Sequence, residues 1–190
     1  EINRLLTDQI ADLLFTPSAD GDENLLREGV TPDKICLVGN VMIDSLVRLL
    51  PVAEASPVLK NLSLQARNFG LVTLHRPSNV ENPTTFASIM HTLHEISREL
   101  PILFPVHPRT RQRLEASTNH YPGPRVHIVD PLSYLDFLAL QRHAKFVITD
   151  SGGIQEETTY LGVPCLTVRE NTERPVTVTF GTNVLVGTDM

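Results

Sequence analysis

Phe146–Val147–Ile148–Thr149–Asp150–Ser151–Gly152–Gly153–Ile154–Gln155–Glu156–Glu157 is the stretch that decides how this chain folds. Residues 146–149 read as a short buried strand. The two glycines let the backbone turn tightly, and Ile154 to Leu161 reads as a helix. A glycine turn that opens a helix presents bare N–H groups and the positive end of the helix dipole, which suits an anion such as phosphate. Glu156 and Glu157, one turn further on, can accept hydrogen bonds from sugar hydroxyls. Gly-Gly after a strand is also found as nothing more than a tight βα turn. No G-x-G-x-x-G, P-loop or G-x-S-x-G pattern accompanies it, so Ser151 is a poor hydrolase nucleophile.

Strands and helices alternate outward from this stretch. Strands are predicted at Leu71–Leu74, Ile102–Val106, Val126–Val129, Phe146–Thr149, Cys165–Val168 and Val184–Val186. Helices are predicted near 83–100, 109–117, 133–143 and 154–161. In the first of these Asn82 is the cap, Pro83 occupies the first turn, and Phe86, Ile89, Leu93, Ile96 and Leu100 form one apolar stripe. Short β-branched strands separated by helices predict an α/β, Rossmann-like parallel sheet with helices on both faces. Upstream, residues 1–15 read as a helix, with Ile2, Leu5, Leu6, Ile10, Leu13 and Leu14 at helical spacing. A strand at Phe15–Thr16, a helix near 23–28 and a strand at Ile35–Val38 follow. Pro51–Leu64 shows little periodicity and reads as a linker or surface excursion. The expected organisation is a terminal segment of one Rossmann-like domain at 1–40, a hinge and linker at 41–68, and a second Rossmann-like domain at 69–190.

Composition narrows the function. The 190 residues are 41% hydrophobic with a formal net charge of −6, which argues against a nucleic-acid surface. No apolar run approaches a membrane span. The chain opens on Glu1 rather than Met and is expected to begin inside a longer protein. Cys36 and Cys165 read as buried, reduced residues of a cytosolic protein, not a disulfide or zinc pair.

Ligands in such sheets bind beyond the carboxyl ends of the strands. Four polar clusters fall there: His75–Arg76–Pro77–Ser78–Asn79, His107–Pro108–Arg109–Thr110, Ser151–Gly152–Gly153, and Arg169 to Pro175. Each alone is an ordinary solvated loop, but four at one edge make a concave anion site. Arg76, Arg109, Arg169 and Arg174 are its candidate donors. A lone histidine is more often structural than functional, yet His75 directly follows a strand beside Arg76. His91 and His94 lie three apart on a helix with no third ligand, so they read as a solvated face rather than a metal pair. His120, His127 and His143 carry no signal. Tyr134 and Phe137 read as core residues, with Phe137 close enough to the site edge to lie against a base.

These motifs carry a resemblance. Val72 to Arg76, Asp150 to Glu157, Leu161 to Pro164, Asn171 to Thr177 and Gly39 to Asp44 together resemble the non-hydrolysing UDP-N-acetylglucosamine 2-epimerases over essentially the whole chain. The Gly-Gly turn is common to many GT-B proteins; its combination with 171–177 is specific to the epimerases. The resemblance implies two Rossmann-like domains in the GT-B arrangement and interconversion of UDP-N-acetylglucosamine and UDP-N-acetylmannosamine with neither a nicotinamide nor a metal cofactor. UDP is eliminated to an enol-ether sugar and re-added after C2 is reprotonated on the other face. By motif, His75 lies by the diphosphate and the reacting sugar. Ser151, Gly152 and Gly153 hold phosphate, Glu157 holds the ribose, Phe137 flanks the uracil and Arg174 stabilises departing UDP. Arg76 and His107 face a second, regulatory nucleotide-sugar site. A cytoplasmic homodimer is implied as well. The family's catalytic carboxylates belong mostly to the N-terminal domain, of which this chain is expected to hold only the last segment, and the C-terminal closing helices are expected to be missing after Met190. The fragment is therefore expected to bind UDP and to be inactive alone. A GT-B glycosyltransferase, a hydrolysing epimerase and a non-catalytic nucleotide-sugar sensor remain the rival readings.

Overall fold

A computed structural model describes residues 2–116, 123 and 125–188, with the side chains of residues 109, 113, 115 and 116 outside the described set. The chain divides into two compact units, Glu1–Arg48 and Leu49–Met190.

In the first unit, α1 (Ile2–Ile10) is followed by β1 (Leu14–Thr16), α2 (Ala19–Arg27), a 3-10 turn (Pro32–Lys34) and β2 (Ile35–Leu37). The two strands pair in parallel, Leu14 opposite Ile35 and Thr16 opposite Leu37. A long helix, α3 (Val41–Glu54), crosses the division between the units and is followed by α4 (Val58–Asn61). Residues 51–64 are thus largely helical, where the sequence pattern suggests a linker. Pro51 falls in the last turn of α3, where a missing N–H forfeits a single hydrogen bond. Burial of Ala53 and Val58 outweighs that loss, and their spacing is too short to show as a period.

The second unit runs β3 (Gly70–Thr73), α5 (Pro77–Val80), α6 (Pro83–Glu99), β4 (Ile102–Pro105), α7 (Pro108–Ala116), β5 (Val126–Val129), α8 (Tyr134–His143), β6 (Phe146–Thr149), α9 (Gly152–Leu161), β7 (Cys165–Thr167), α10 (Pro175–Thr179) and β8 (Asn183–Leu185). All six strands lie parallel in one sheet of order β5-β4-β3-β6-β7-β8. The Rossmann-like reading holds. Asn82 caps α6, its side chain accepting from the N–H groups of Thr84 and Thr85. The predicted stripe packs one sheet face: Phe86, Ile89, Leu93 and Leu100, with Ile96 against them, join Val72, Ile102, Phe104 and Ile148 in a single core, to which Met90 also belongs. Each such side chain contributes about 1.5–3 kcal/mol of burial. The alternate strand residues Leu71, Leu103 and Val147 are equally buried and by the period of two face the opposite side. There α9 packs on β6 and β7. Gly162, at φ +67°, ends α9 in the left-handed conformation that a side chain would resist.

Among the described residues no helix is long and apolar enough to cross a membrane. Cys165 is buried, Cys36 only half-buried, and both are free thiols.

Candidate functional site

From β3 the chain winds outward through β4 to β5; from β6 it winds the other way through β7 to β8. β3 and β6 are therefore the central pair at which the winding reverses, and the loops leaving their carboxyl ends part to either side of a crevice. Because every strand is parallel, the loops after β3, β4, β6 and β7 all emerge at one edge, as the four polar clusters require. A cavity of about 400 Å³ occupies the crevice, lined by Thr73, His75, Leu132, Tyr134, Phe137, Ser151 and Ile154.

Asp150, the first residue after β6, organises it. Its side chain is fully buried, and it accepts the backbone N–H groups of His75 and Arg76 at 3.1 and 2.9 Å and the Asn79 amide at 3.0 Å. The His75 ring adds Nδ1 at 2.9 Å from Oδ1. The Asn79 amide also reaches the carbonyl of Val168 at 3.0 Å, so one carboxylate and one amide tie together the ends of β3, β6 and β7. Burial works against the Asp150 charge, but the bonds from His75, Arg76 and Asn79 outweigh it and hold the carboxyl below its usual range. The same bond raises the imidazole pKa, against the opposing effects of partial burial and of Arg76. With Nδ1 committed to Asp150, Nε2 is the nitrogen left for a ligand. In the sequence alone Asp150 is one polar residue of a loop, with nothing to mark this role.

Ser151 begins α9, and no side chain caps the helix. Its own N–H donates to the Thr149 hydroxyl at 3.0 Å. A methyl group added at Gly152 would meet nothing within 4 Å, and the residue is not in the left-handed region. Neither packing nor backbone conformation calls for glycine there, and no side chain takes up the N–H groups of the first turn through a cap.

Opposite, the Ser133 hydroxyl caps α8 by accepting the N–H of Asp136, which fixes the turn carrying Tyr134 and Phe137. These two side chains lie on one helix face and both line the cavity. The core reading of Tyr134 is corrected: it is 43% exposed, because its phenol reaches across to α9 and donates to Glu157 Oε1 at 3.0 Å. Phe137 is half-buried. Glu157 is buried, which raises its pKa despite the Tyr134 bond. The nearby Gln141 amide also favours its charged form, yet makes no hydrogen bond of ordinary geometry with it: Gln141 Nε2 and Glu157 Oε2 are both buried without a partner.

The loop after β7 holds three of the arginines in ion pairs. Arg169, read as an available donor, is instead 5% exposed and grips Glu173 through two bonds of 2.8 and 2.6 Å. Those bonds push the Glu173 carboxyl down to about 2. Arg76 stands 3.7 Å from the same carboxylate. Arg174 Nε lies 3.0 Å from Glu156 Oε1, but without hydrogen-bond alignment. A buried relay positions this loop: Gln155 Oε1 accepts from Thr172 at 2.6 Å and from Asn183 at 3.1 Å, and Asn183 also reaches Thr167 and Thr177. Thr172 falls in a polar cluster and Gln155 in the Gly-Gly stretch, but nothing in the sequence marks any of these five as a buried relay, since neutral amides and hydroxyls look the same buried or exposed. His107 is exposed at the same sheet edge, after β4, and does not line the cavity. The Arg109 side chain and His120 lie outside the described residues. Among the described residues no group of three His, Cys, Asp or Glu side chains is placed to hold a metal ion, His91 and His94 included.

Comparison with known proteins fits this geometry. The UDP-N-acetylglucosamine 2-epimerase of Methanococcus maripaludis is 40% identical, across 100% of this chain and 54% of its own length. The UDP-2,3-diacetamido-2,3-dideoxy-D-glucuronate 2-epimerase of Pseudomonas aeruginosa is 42% identical, across 98% and 52%. The crystal structure of the Methanocaldococcus jannaschii UDP-GlcNAc 2-epimerase in complex with UDP-GlcNAc and UDP superposes with a TM-score of 0.85 at 40% identity, over 100% of this chain and 54% of that one. The chain thus spans about half the length of the curated relatives it matches. The sequence pattern that defines UDP-N-acetylglucosamine 2-epimerases matches residues 1–190 without interruption, and it is to that family that the chain belongs.

Proposed function

We propose that this chain supplies the UDP-binding half of an enzyme that interconverts UDP-N-acetylglucosamine and UDP-N-acetylmannosamine, and that it is the C-terminal part of a GT-B arrangement. The observation that carries the reading is the cavity between the ends of β3 and β6, with His75 on one wall, the uncapped start of α9 on another and Phe137 on a third.

In this reading the diphosphate sits at Ser151, Gly152 and Gly153, the uracil lies against Phe137 and the ribose reaches Glu157. A base takes the C2 proton, the C1–O bond breaks, and its electron pair leaves on the β-phosphate oxygen of UDP. Protonation of C2 from the other face and return of UDP to C1 complete the epimerisation. Negative charge therefore grows on the diphosphate, so donors fixed beforehand, the α9 amides and His75, stabilise the transition state more than the substrate. Arg174 completes the set once it leaves Glu156. The base for C2 comes from outside this chain, from carboxylates of the N-terminal domain. The reaction uses neither a nicotinamide nor a metal. Arg76 and His107, neither of which lines the cavity, are assigned in this reading to a second, regulatory nucleotide-sugar site. A homodimer in the cytoplasm belongs to the same reading, and light scattering and cell fractionation test those two parts.

The test of the activity is to incubate the full-length protein with UDP-N-acetylglucosamine in deuterated water. UDP-N-acetylmannosamine carrying deuterium at C2 is expected. Free N-acetylmannosamine with released UDP, or sugar transfer to an acceptor, would assign a rival activity. The isolated chain should bind UDP in calorimetry and turn over nothing; turnover near that of the full-length protein would refute the division of labour. Because the Pseudomonas aeruginosa relative is named for a different hexose, the assay should include that nucleotide sugar too.

A further inference from the structure

One polar contact on the cavity rim has no part in phosphate binding. The Tyr134 hydroxyl donates to Glu157 Oε1 at 3.0 Å, bridging α8 and α9. Glu157 is 4% exposed, and its other oxygen has no hydrogen-bond partner. The nearby Gln141 amide favours its charge but makes no aligned bond to it, and a dry carboxylate with half its acceptor capacity unused is costly unless a donor completes it. Tyr134 is suited to hold such a group. Burial first, and then the charge of Glu157, push its phenol pKa up to about 12, so it stays an O–H donor at every working pH and takes no part in proton transfer.

The chemistry of the missing donor can be narrowed. A carboxylate repels phosphate, so the pair does not bind the diphosphate. Five residues separate Gly152 from Glu157, about 7.5 Å along the helix, which lets phosphates rest at the helix start while a pentose attached to them reaches Glu157. A vicinal diol offers two O–H donors to one carboxylate.

We propose that Tyr134 is a positioning residue for ribose recognition, holding the Glu157 carboxylate in place to accept from the 2′- and 3′-hydroxyls and so to favour ribonucleotides over 2′-deoxyribonucleotides. The inference rests on the UDP reading above and adds a residue and a selectivity to it. Without the phenol hydroxyl the carboxylate loses its anchor, while contacts to phosphate and base are untouched.

Calorimetry on the full-length protein with UDP and with 2′-deoxy-UDP tests this, comparing wild type with Tyr134→Phe. Wild type should prefer UDP by about tenfold, the worth of one hydrogen bond to a charged acceptor. Tyr134→Phe should weaken UDP more than 2′-deoxy-UDP, which keeps only its 3′-hydroxyl, and shrink that preference to about threefold or less, with the melting temperature lowered by no more than a few degrees. Tyr134 is 43% exposed, so the variant keeps its packing. An undiminished preference in the variant, or equal loss for both nucleotides, overturns the inference while the UDP reading stands. A loss confined to UDP-N-acetylglucosamine, with UDP itself unaffected, would move the contact to the hexose diol and overturn it too. Wild type that binds neither nucleotide would fail the UDP reading first and the inference with it.

Discussion

The imidazole Nδ1 of His75 lies 2.9 Å from Oδ1 of Asp150, a solvent-facing ring against a fully buried carboxylate. Two groups with opposite titration behaviour are thereby coupled across β3 and β6. His75 is raised above its ordinary value of 6.5, so its contribution to stability is full below that value and is lost as pH rises through the folded pKa. Asp150 is lowered below 3.8, so its contribution is held above that value and lost as pH falls through the folded pKa. The pair is therefore at full strength between about pH 4 and 6.5. Unfolding of wild type and His75→Gln followed across pH should show a stability difference that is largest in that window and shrinks as pH rises through the folded pKa of His75. A difference independent of pH would rule the coupling out.

Asp150→Asn should be far more damaging than any change at His75. An amide nitrogen would face N–H donors from His75, Arg76 or Asn79, leaving buried donors without acceptors. The expected loss is about 3 kcal/mol, read as a lower denaturant midpoint, together with a His75 pKa that falls back to 6.5 or below by NMR titration. Near-wild-type stability would show that the loop after β3 does not depend on this carboxylate.

Gly152→Ala separates folding from binding. A methyl there meets no atom within 4 Å and needs no left-handed backbone, so stability should be unchanged or rise by about 0.5–1 kcal/mol as the unfolded chain loses freedom. The same methyl stands where a phosphate would approach the first turn of α9. UDP affinity should fall by about tenfold or more, the equivalent of about 1.4 kcal/mol. A variant that binds UDP as well as wild type would remove the helix start from the site.

The sheet was legible because its information is local. Buried strands such as Phe146–Thr149 announce themselves by β-branched runs, and Asn82-Pro83 announces α6 by a cap and a preformed φ. The edge that gathers the site followed from the parallel order alone. What stayed hidden depends on partners distant in sequence. Asp150 reads as one more polar loop residue until the chain from His75 to Asn79 returns to it from 71 to 75 positions away. Tyr134 reads as core until α8 packs on α9 and brings Glu157 within reach. Arg169 reads as a spare cation, since nothing in the sequence says that Glu173 folds back on it. Each of these is set by tertiary packing rather than by local propensity.

Arg174 is the residue whose two possible roles differ most in their consequences. Its loop is fixed without it, through Thr172 and Asn183 on buried Gln155 and through the Thr177 hydroxyl, which donates to the Arg174 carbonyl at 2.7 Å. Its own ion pair with Glu156 is close but misaligned, and the side chain is 38% exposed, so the pair contributes about 1 kcal/mol or less once solvent screening is counted. Such a weak hold is easily given up to a diphosphate gaining charge. Arg174→Ala in the full-length protein should therefore cut kcat by about a hundredfold, the usual loss for one donor to a developing anion, while the melting temperature moves by no more than a few degrees. Arg174→Lys should recover part of the rate by restoring charge without the guanidinium fork. A large drop in melting temperature with unchanged kinetics would make Arg174 a structural residue and leave the departing UDP to the α9 amides and His75.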